Sequence, residues 1–323
     1  MFYILSTFLI AIIISSISLP LIIKLAFKRN LLDFVDVRKQ KRAPVPRIGG
    51  LGIFLGIFAS LIFLLINKDL NLALGNLEIL LLLSVGFFLI GFIDDLFNIS
   101  PWPRLFVQFS LASIAWFQNI RIESIDMSYL NIGPEFFVLP KLLSFVFTVV
   151  WIVGLTNAIN WIDGLDGLAI GVTLIGVTAL VIINFKLKQF DTLFILLPVL
   201  GSSLSFFRFN FYPAQILMGD GGSYLLGFLV SFVSIISTTR YPIGNSETFA
   251  TAIYIPIILF SIPIFDMMGV IISRIIERRS PFYPDKEHLH HRLMAAGFNH
   301  KNSVLLIYFF SIFTASISVA FAN

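Results

Sequence analysis

Ten uncharged stretches of fifteen residues or more run through this chain of 323 residues, and they leave it few ways to fold. They cover residues 1–23, 48–67, 79–93, 105–120, 142–162, 167–185, 192–207, 221–239, 248–265 and 302–323. At ~1.5 Å rise per residue, a helix of about twenty residues covers the ~30 Å hydrocarbon layer of a bilayer. The shorter stretches must extend past a bounding charge or lie in protein-lined interior. With 58% hydrophobic and 12% charged residues, and a mean hydropathy of +0.95, the chain stands far from the soluble average. The expectation is an all-α, polytopic integral membrane bundle of about ten transmembrane helices, nine or eleven being the neighbouring counts. No repeat or soluble domain interrupts it, so residues 1–323 read as one domain.

Lysine and arginine placement orients the helices. With ten crossings, one side collects the loops near 24–49, 94–104, 157–167, 207–220 and 273–302, which hold sixteen of the twenty-two basic residues. The other side holds Lys68, Arg121, Lys141, Lys186, Lys188 and Arg240. The richer side is expected to be cytoplasmic, with both termini outside. Positive charge follows the first apolar run rather than preceding it, which fits a retained helix better than a cleaved signal peptide. The net charge of +4 arises mainly from clusters flanking spans, so anionic lipid headgroups are the expected partner and nucleic acid is not. Absence of cysteine removes disulfides and thiolate metal sites.

Against this background the polar residues are few and clustered. Asn157–Leu168 (NAINWIDGLDGL) gathers Asn157, Asn160, Asp163 and Asp166 at the end of an uncharged run. An ionised aspartate in lipid costs at least ~2.5 kcal/mol, so packing alone is a poor account of it. On a helix, Asn160, Asp163 and Gly167 stack at spacings of three and four, while Gly164 and Gly167 permit tight geometry or close ligand approach. A satisfied interhelical polar network is the structural alternative. Asp94 and Asp95 lie in GFIDDLFNISPWPR, where Pro101 and Pro103 break the chain before Arg104. Paired carboxylates suit Mg²⁺ held with a phosphate ligand, since hard cations prefer oxygen. A solvated helix end, with Asn98 as turn former and Arg104 as membrane anchor, would look the same. Met218–Ser223 (MGDGGS) presents Asp220 and several backbone N–H groups at a helix start, which favours an anion.

Three of the four histidines, His288, His290 and His291, precede Arg292. Their spacing matches no standard zinc pattern, and imidazoles beside a guanidinium fit anion binding better. Arg47 stands before Gly49 and Gly50 at the entry to the second span, where the glycines allow close approach. Asp266 reads as a supporting residue or as a partner of Arg274. In the ten-span reading every one of these clusters falls on the cytoplasmic side, which points to a single site near the inner membrane surface.

In order, PRIGG at 46–50, DDLFN at 94–98, NAINWIDGLDGLA at 157–169, MGDGGS at 218–223 and HLHHR at 288–292 resemble the motifs of the polyprenyl-phosphate N-acetylhexosamine-1-phosphate transferases. The resemblance implies a helical bundle with a cytoplasmic active-site cleft. It implies transfer of a sugar 1-phosphate from a UDP-N-acetylhexosamine to undecaprenyl phosphate, with release of UMP and a requirement for Mg²⁺, Mn²⁺ being the substitute. Two polyanions must meet, so charge neutralisation and alignment are the main needs. By the same resemblance Asp220 is a metal ligand with Asn160 beside it. Asp94, Asp95 and Asp163 form the catalytic group, the first two positioning or deprotonating the lipid phosphate. Arg104 holds phosphate, and Arg47, Asn157, Gly164 and Asp166 bind substrate, the last two at uracil. His288, His290, His291 and Arg292 match the loop associated with sugar and diphosphate.

Two departures stand out: Asn98 replaces a third carboxylate, and Leu217 stands where related enzymes often carry a phenylalanine against uracil. The HLHHR loop is similar to that of the subgroup using UDP-N-acetylglucosamine. It is unlike the loop of the phospho-N-acetylmuramoyl-pentapeptide transferases, the nearest alternative. The expected role is the first step of a surface glycan such as O-antigen or teichoic acid. The resemblance places the chain in the bacterial inner (cytoplasmic) membrane, among membrane lipids, as a monomer or homodimer. An ion-coupled transporter would put its carboxylates at the bilayer midplane and show related halves. An intramembrane prenyltransferase needs a second aspartate-rich motif, which DGLDG matches poorly. A CDP-alcohol phosphotransferase needs spaced aspartates that 167–185 lacks.

Overall fold

In lipid every backbone polar group must be satisfied within the protein, and helices do so segment by segment. The computed structural model describes residues 2–33, 44–67, 77–126, 136–236, 240–242, 249–251, 253–280, 282 and 287–322. Among the expected cytoplasmic cations, Arg38, Lys39, Lys41, Arg42 and Lys286 lie outside the described residues. Each of the ten apolar stretches lands on a helix. These are α1 (Phe2–Lys28), α2 (Gly50–Ile66), α3 (Leu77–Phe97), α4 (Pro101–Phe117), α5 (Lys141–Trp161), α6 (Leu168–Lys186), α7 (Phe190–Asn210), α8 (Gly219–Ile236), the broken pair α9 (Tyr254–Leu259) and α10 (Ser261–Ile276), and α12 (His300–Phe321). A short α11 (Leu289–Ala295) carries His290 and His291, with His288 immediately before it.

The protein is an all-α polytopic membrane protein. Among the described residues seven helices are long and apolar enough to cross a membrane: α1, α3, α5, α6, α7, α8 and α12. The remaining apolar runs fall on shorter helices, α2 and α4 of 17 residues each, and α9–α10, which is interrupted at Phe260 between Pro256 and Pro263.

Among the described residues, six short strands were not legible in the sequence. β1 (Leu32–Asp33) pairs with β2 (Val45–Pro46) just before α2. β3 (Ser124–Asp126), β4 (Phe136–Val138), β5 (Arg240–Pro242) and β6 (Phe249–Thr251) form a sheet in the order β4-β3-β6-β5. Its central contact, β3 with β6, is parallel and joins the α4–α5 linker to the α8–α9 linker. Both linkers lie at the end of the bundle opposite Asp94 and Asp220, because α4 and α8 each start at that pair's end and run away from it.

α8 is the axis of the bundle. Of its 18 residues 94% are buried, against 22% and 28% of the most apolar 18-residue stretches of α1 and α12, although it is the least apolar of the seven. Apolar side chains of α1 at Leu5, Leu9, Ile13, Ile17 and Leu21 instead face outward. Helices in lipid gain little from hydrophobic exclusion and associate through close packing and hydrogen bonds. Glycine supplies the first. A Cβ on Gly91 of α3 would lie 2.3 Å from the carbonyl oxygen of Asp220, and one on Gly227 of α8 would lie 2.6 Å from Thr156 Cα in α5. Serine supplies the second. Ser15 Oγ donates to Gly52 O (2.9 Å) and Ser60 Oγ to Thr7 O (2.8 Å), tying α1 to α2.

Gly91→Ala tests the α3–α8 contact. Alanine gains up to ~1 kcal/mol of helix propensity over glycine, but here its methyl meets backbone, which cannot rotate away. Overpacking of about 1–3 kcal/mol should win, lowering the thermal midpoint of the detergent-solubilised protein. An unchanged or raised midpoint would contradict the packing.

Candidate active site

Asp95 organises the polar end of the bundle. It sits in the last turn of α3, and its carboxylate accepts the backbone N–H groups of Asp220 (2.8 Å, Oδ1) and Gly221 (2.9 Å, Oδ2). The anion favoured by the glycine-rich start of α8 is therefore supplied by the chain itself. Unsatisfied N–H groups and the positive end of the helix dipole both stabilise it there. Gly219 makes the approach feasible: its φ is +73°, and a Cβ would stand 2.5 Å from Asp95 Oδ2. α3 ends at Asn98, whose φ of +49° is the left-handed geometry that asparagine tolerates at a helix end. Asn98 thus terminates the helix.

PRIGG and MGDGG are zipped together by main chain. Leu217 N–H donates to Pro46 O (2.7 Å), Gly49 N–H to Leu217 O (2.9 Å) and Gly50 N–H to Met218 O (2.8 Å). That pairing delivers Arg47 to two carboxylates, Asp95 (Nε to Oδ1, 3.2 Å) and Asp220 (Nη2 to Oδ1, 2.8 Å). From the first turn of α4, Arg104 Nη1 bridges Asp94 Oδ2 and Asp220 Oδ2, the latter at 2.9 Å. Asn160, on the last turn of α5, donates through Nδ2 to Asp220 Oδ1 (3.1 Å) and Ser223 Oγ (2.9 Å). Asp94, Asp95, Asp220, Arg47, Arg104 and Asn160, distant in sequence, thus form one network. Its three carboxylates face two guanidiniums, leaving one excess negative charge. The carboxylate side chains are 9% exposed or less, whereas Arg47 is 33% and Arg104 21% exposed. The arginines are the more solvent-exposed members of the network.

A second group forms around the histidine loop. Asp266 accepts from Leu289 N–H (2.6 Å, Oδ1) at the start of α11 and pairs through Oδ2 with His288 Nδ1 (2.9 Å). Its partners are His288 and Leu289 rather than Arg274, which lies over the Trp161 ring at 5.1 Å. His288 meets the Trp161 ring edge-on, and His290 stacks on His288 at 5.7 Å and lies tilted against His291 at 4.2 Å. His290 is buried against Gly164, where a Cβ would fall 2.1 Å from Nε2. Arg292 is exposed on the same short helix. Residues 160–164 join the two groups, Asn160 facing the carboxylates and Trp161 and Gly164 facing the histidines.

The remaining expected residues have more structural surroundings. Asp163 is half-buried in the turn after α5, its N–H on Asn160 O (3.1 Å). Asp166 is buried and accepts Ala214 N–H through Oδ2 (2.9 Å), tying this turn to the α7–α8 loop. Gly167 N–H donates to Asn210 Oδ1 (3.1 Å), and Gly167 O accepts from the Tyr308 hydroxyl of α12. Asn157 donates to Gln108 Oε1 (2.7 Å) and Val153 O (2.8 Å). Gln108, Asn210 and Tyr308 had no signal beyond polarity or aromaticity within apolar runs.

Burial, followed by the adjoining His291 and His288, pushes the His290 imidazole down from 6.5 to about 3, against the raising effect of Asp266. Since the folded loop holds His290 neutral while the opened loop binds a proton below about pH 6.5, its contribution to loop stability is present above that value and lost toward pH 3. Protection factors of the α11 amides, taken against the intrinsic exchange rate at each pH, should therefore fall by roughly tenfold per pH unit below about pH 6. In His290→Asn that component should vanish. An equal pH slope in the variant would show that His290 is not the titrating group.

The sequence was also compared with known proteins. Residues 77–238 match the family model described as Glycosyl transferase family 4. A "probable undecaprenyl-phosphate N-acetylglucosaminyl 1-phosphate transferase" of Bacillus subtilis (strain 168) is 34% identical over 304 residues, covering 93% of this chain and 80% of the relative. An undecaprenyl-phosphate alpha-N-acetylglucosaminyl 1-phosphate transferase of Yersinia pestis is 28% identical over 304 residues, covering 92% and 78%. A phospho-N-acetylmuramoyl-pentapeptide-transferase of Clostridium perfringens (strain 13 / Type A) is 34% identical over 244 residues, covering 71% and 73%. With 93% of the chain matched by the first of these at 34% identity, the chain belongs to glycosyl transferase family 4, within the polyprenyl-phosphate N-acetylglucosamine-1-phosphate transferases.

Proposed function

We propose that this protein transfers N-acetylglucosamine 1-phosphate, or a closely related N-acetylhexosamine 1-phosphate, from its UDP derivative to undecaprenyl phosphate and releases UMP, starting a bacterial surface glycan. The observation that carries the reading is Asp220, shared by Arg47, Arg104 and Asn160 at the start of α8. Such a cluster suits two phosphate-bearing substrates, because mobile guanidiniums and fixed carboxylates can redistribute around them. The greater coverage of the N-acetylglucosaminyl relatives than of the muramoyl-pentapeptide relative favours the smaller sugar.

Mg²⁺ fits the residues present. Asp94 Oδ1 is buried without a hydrogen-bond partner, both Asn160 amide hydrogens are committed so that its Oδ1 is left, and the network has an excess negative charge. Among the described residues no three His, Cys, Asp or Glu side chains form a ready-made ligand group; the carboxylates are bridged by arginines instead. Asp220 and Asn160 would hold the ion, which would neutralise charge on the donor diphosphate. Arg47 and Arg104 would leave the carboxylates for phosphate oxygens, aligning donor and acceptor and excluding water between them. Of the paired aspartates, Asp94 keeps an oxygen for the acceptor phosphate or its proton. Asp95 has both oxygens on α8 amides and would stay in place. Asp163, Gly164, Asp166 and the loop of His288, His290, His291 and Arg292 would close over uracil, sugar and diphosphate. The ten apolar helices would cross the inner membrane with the site on the cytoplasmic side and both termini outside, an orientation supported by the basic residues at the site's end of the bundle.

UMP release from UDP-N-acetylglucosamine, undecaprenyl phosphate and Mg²⁺ by the purified protein tests the reading. Asp94→Asn should lower kcat by about 10²–10⁴-fold, the range of a lost acid–base group, while the protein keeps its thermal midpoint. Asp95→Asn should lower the midpoint as well, since it weakens the cap on α8 by about 0.5–2 kcal/mol. Absence of UMP with wild-type protein, or full activity in Asp94→Asn, would defeat the respective assignment.

A further inference from the structure

The proposed function leaves open what Asn157 offers a substrate. Its Nδ2 lies 2.8 Å from Val153 O. A backbone carbonyl can only accept, so the atom facing it must be the amino group, and this settles which way the carboxamide points. The same Nδ2 lies 2.7 Å from Gln108 Oε1. Gln108 is fully buried on α4, one turn beyond Arg104, and its Nε2 has no hydrogen-bond partner. A buried donor without a partner costs stability, so the pair is not arranged to maximise hydrogen bonds. Its effect is to spend both amide hydrogens of Asn157 inside the protein. Asn157 is partly exposed, and its remaining functional atom is the carbonyl oxygen Oδ1.

An acceptor oxygen recognises O–H and N–H groups and repels phosphate oxygens, which are themselves acceptors. Asn160 lies three residues further along α5, about 4.5 Å in rise, and shows the same pattern, with Nδ2 on Asp220 and Ser223. Two carboxamide oxygens therefore stand in file along one face of α5. Asn160 belongs to the charged network. Asn157 is held by an uncharged partner, where a neutral donor group is the better complement.

We infer that Gln108 is a positioning residue that fixes the hydrogen-bonding polarity of Asn157, so that Asn157 Oδ1 accepts from a hydroxyl or acetamido N–H on the sugar of the nucleotide donor. The inference rests on the transferase reading above. Gln108→Leu removes one of the two acceptors that hold Nδ2, leaving Val153 O alone to restrain the carboxamide.

The test measures UMP release by wild type, Gln108→Leu, Asn157→Leu and the double variant. Donors are UDP-N-acetylglucosamine and analogues each lacking one sugar hydroxyl or the acetamido group. Gln108→Leu should raise KM for UDP-N-acetylglucosamine about tenfold, leaving KM for undecaprenyl phosphate and the Mg²⁺ optimum unchanged. The double variant should be no worse than Asn157→Leu, because Gln108 acts through Asn157. One analogue should show the same tenfold loss on wild type and none on Asn157→Leu. Additive effects, a loss falling on the lipid substrate or on Mg²⁺, or an unchanged donor KM would overturn the inference while the transferase reading stands. If Gln108→Leu does not fold, the analogue series on wild type decides, and equal use of every analogue overturns it. Failure of wild type to release UMP from any UDP-sugar would instead bring down the transferase reading, and this inference with it.

Discussion

The carboxylate of Asp95 on the first amides of α8 is the contact on which the rest of the polar end depends. Removing it would leave the buried start of α8 with unsatisfied N–H groups. It would also release Asp220, whose backbone is gripped by the same carboxylate that shares Arg47 with its side chain. One residue thus fixes where α8 begins, how α3 meets it, and where the central carboxylate points. The arginines could not replace this clamp, since they reach the carboxylates by long side chains from elements that α8 itself orders. Burying three carboxylates is tolerable because each has cationic or amide partners.

The close approach of helices around α8 follows from the same need. Charged groups on α3, α4 and the entry to α2, and the Asn160 carboxamide on α5, must converge around one residue. Helices separated by bulky side chains would hold them too far apart. Glycine at 50, 91 and 227 removes that spacing where α8 meets α2, α3 and α5. Serine and asparagine hydrogen bonds then supply attraction that hydrophobic exclusion cannot give inside a bilayer. Packing and chemistry here are two aspects of one constraint.

Much of this was legible in the sequence because charge is so rare in it. Uncharged runs marked the helices, and the residues that broke them marked the site. Asp94, Asp95, Asn160 and Asp220 were visible as outliers, and a shared side of the membrane predicted that they would meet. Legibility ended where polarity was modest or where partners were backbone. Gln108 looks like one polar residue inside an apolar helix, and Tyr308 like one more aromatic. The role of Asp95 as a cap could not be read from DDLFN, since it depends on α8 arriving from more than a hundred residues away. Asn98 was a departure from a motif until its left-handed backbone gave it a purpose. The strands, only two or three residues long, were set by tertiary proximity rather than by alternation of apolar residues.

The parallel pairing of β3 with β6 has a consequence for biosynthesis. A ribosome delivers β3 well before β6, with α5, α6, α7 and α8 emerging in between. Until then the edge of β3 has only β4 beside it, on the far side of the bundle from Arg104. Closure of that sheet therefore coincides with completion of the helical core, and a nascent chain stopped before β6 lacks the strand that ties its two linkers together.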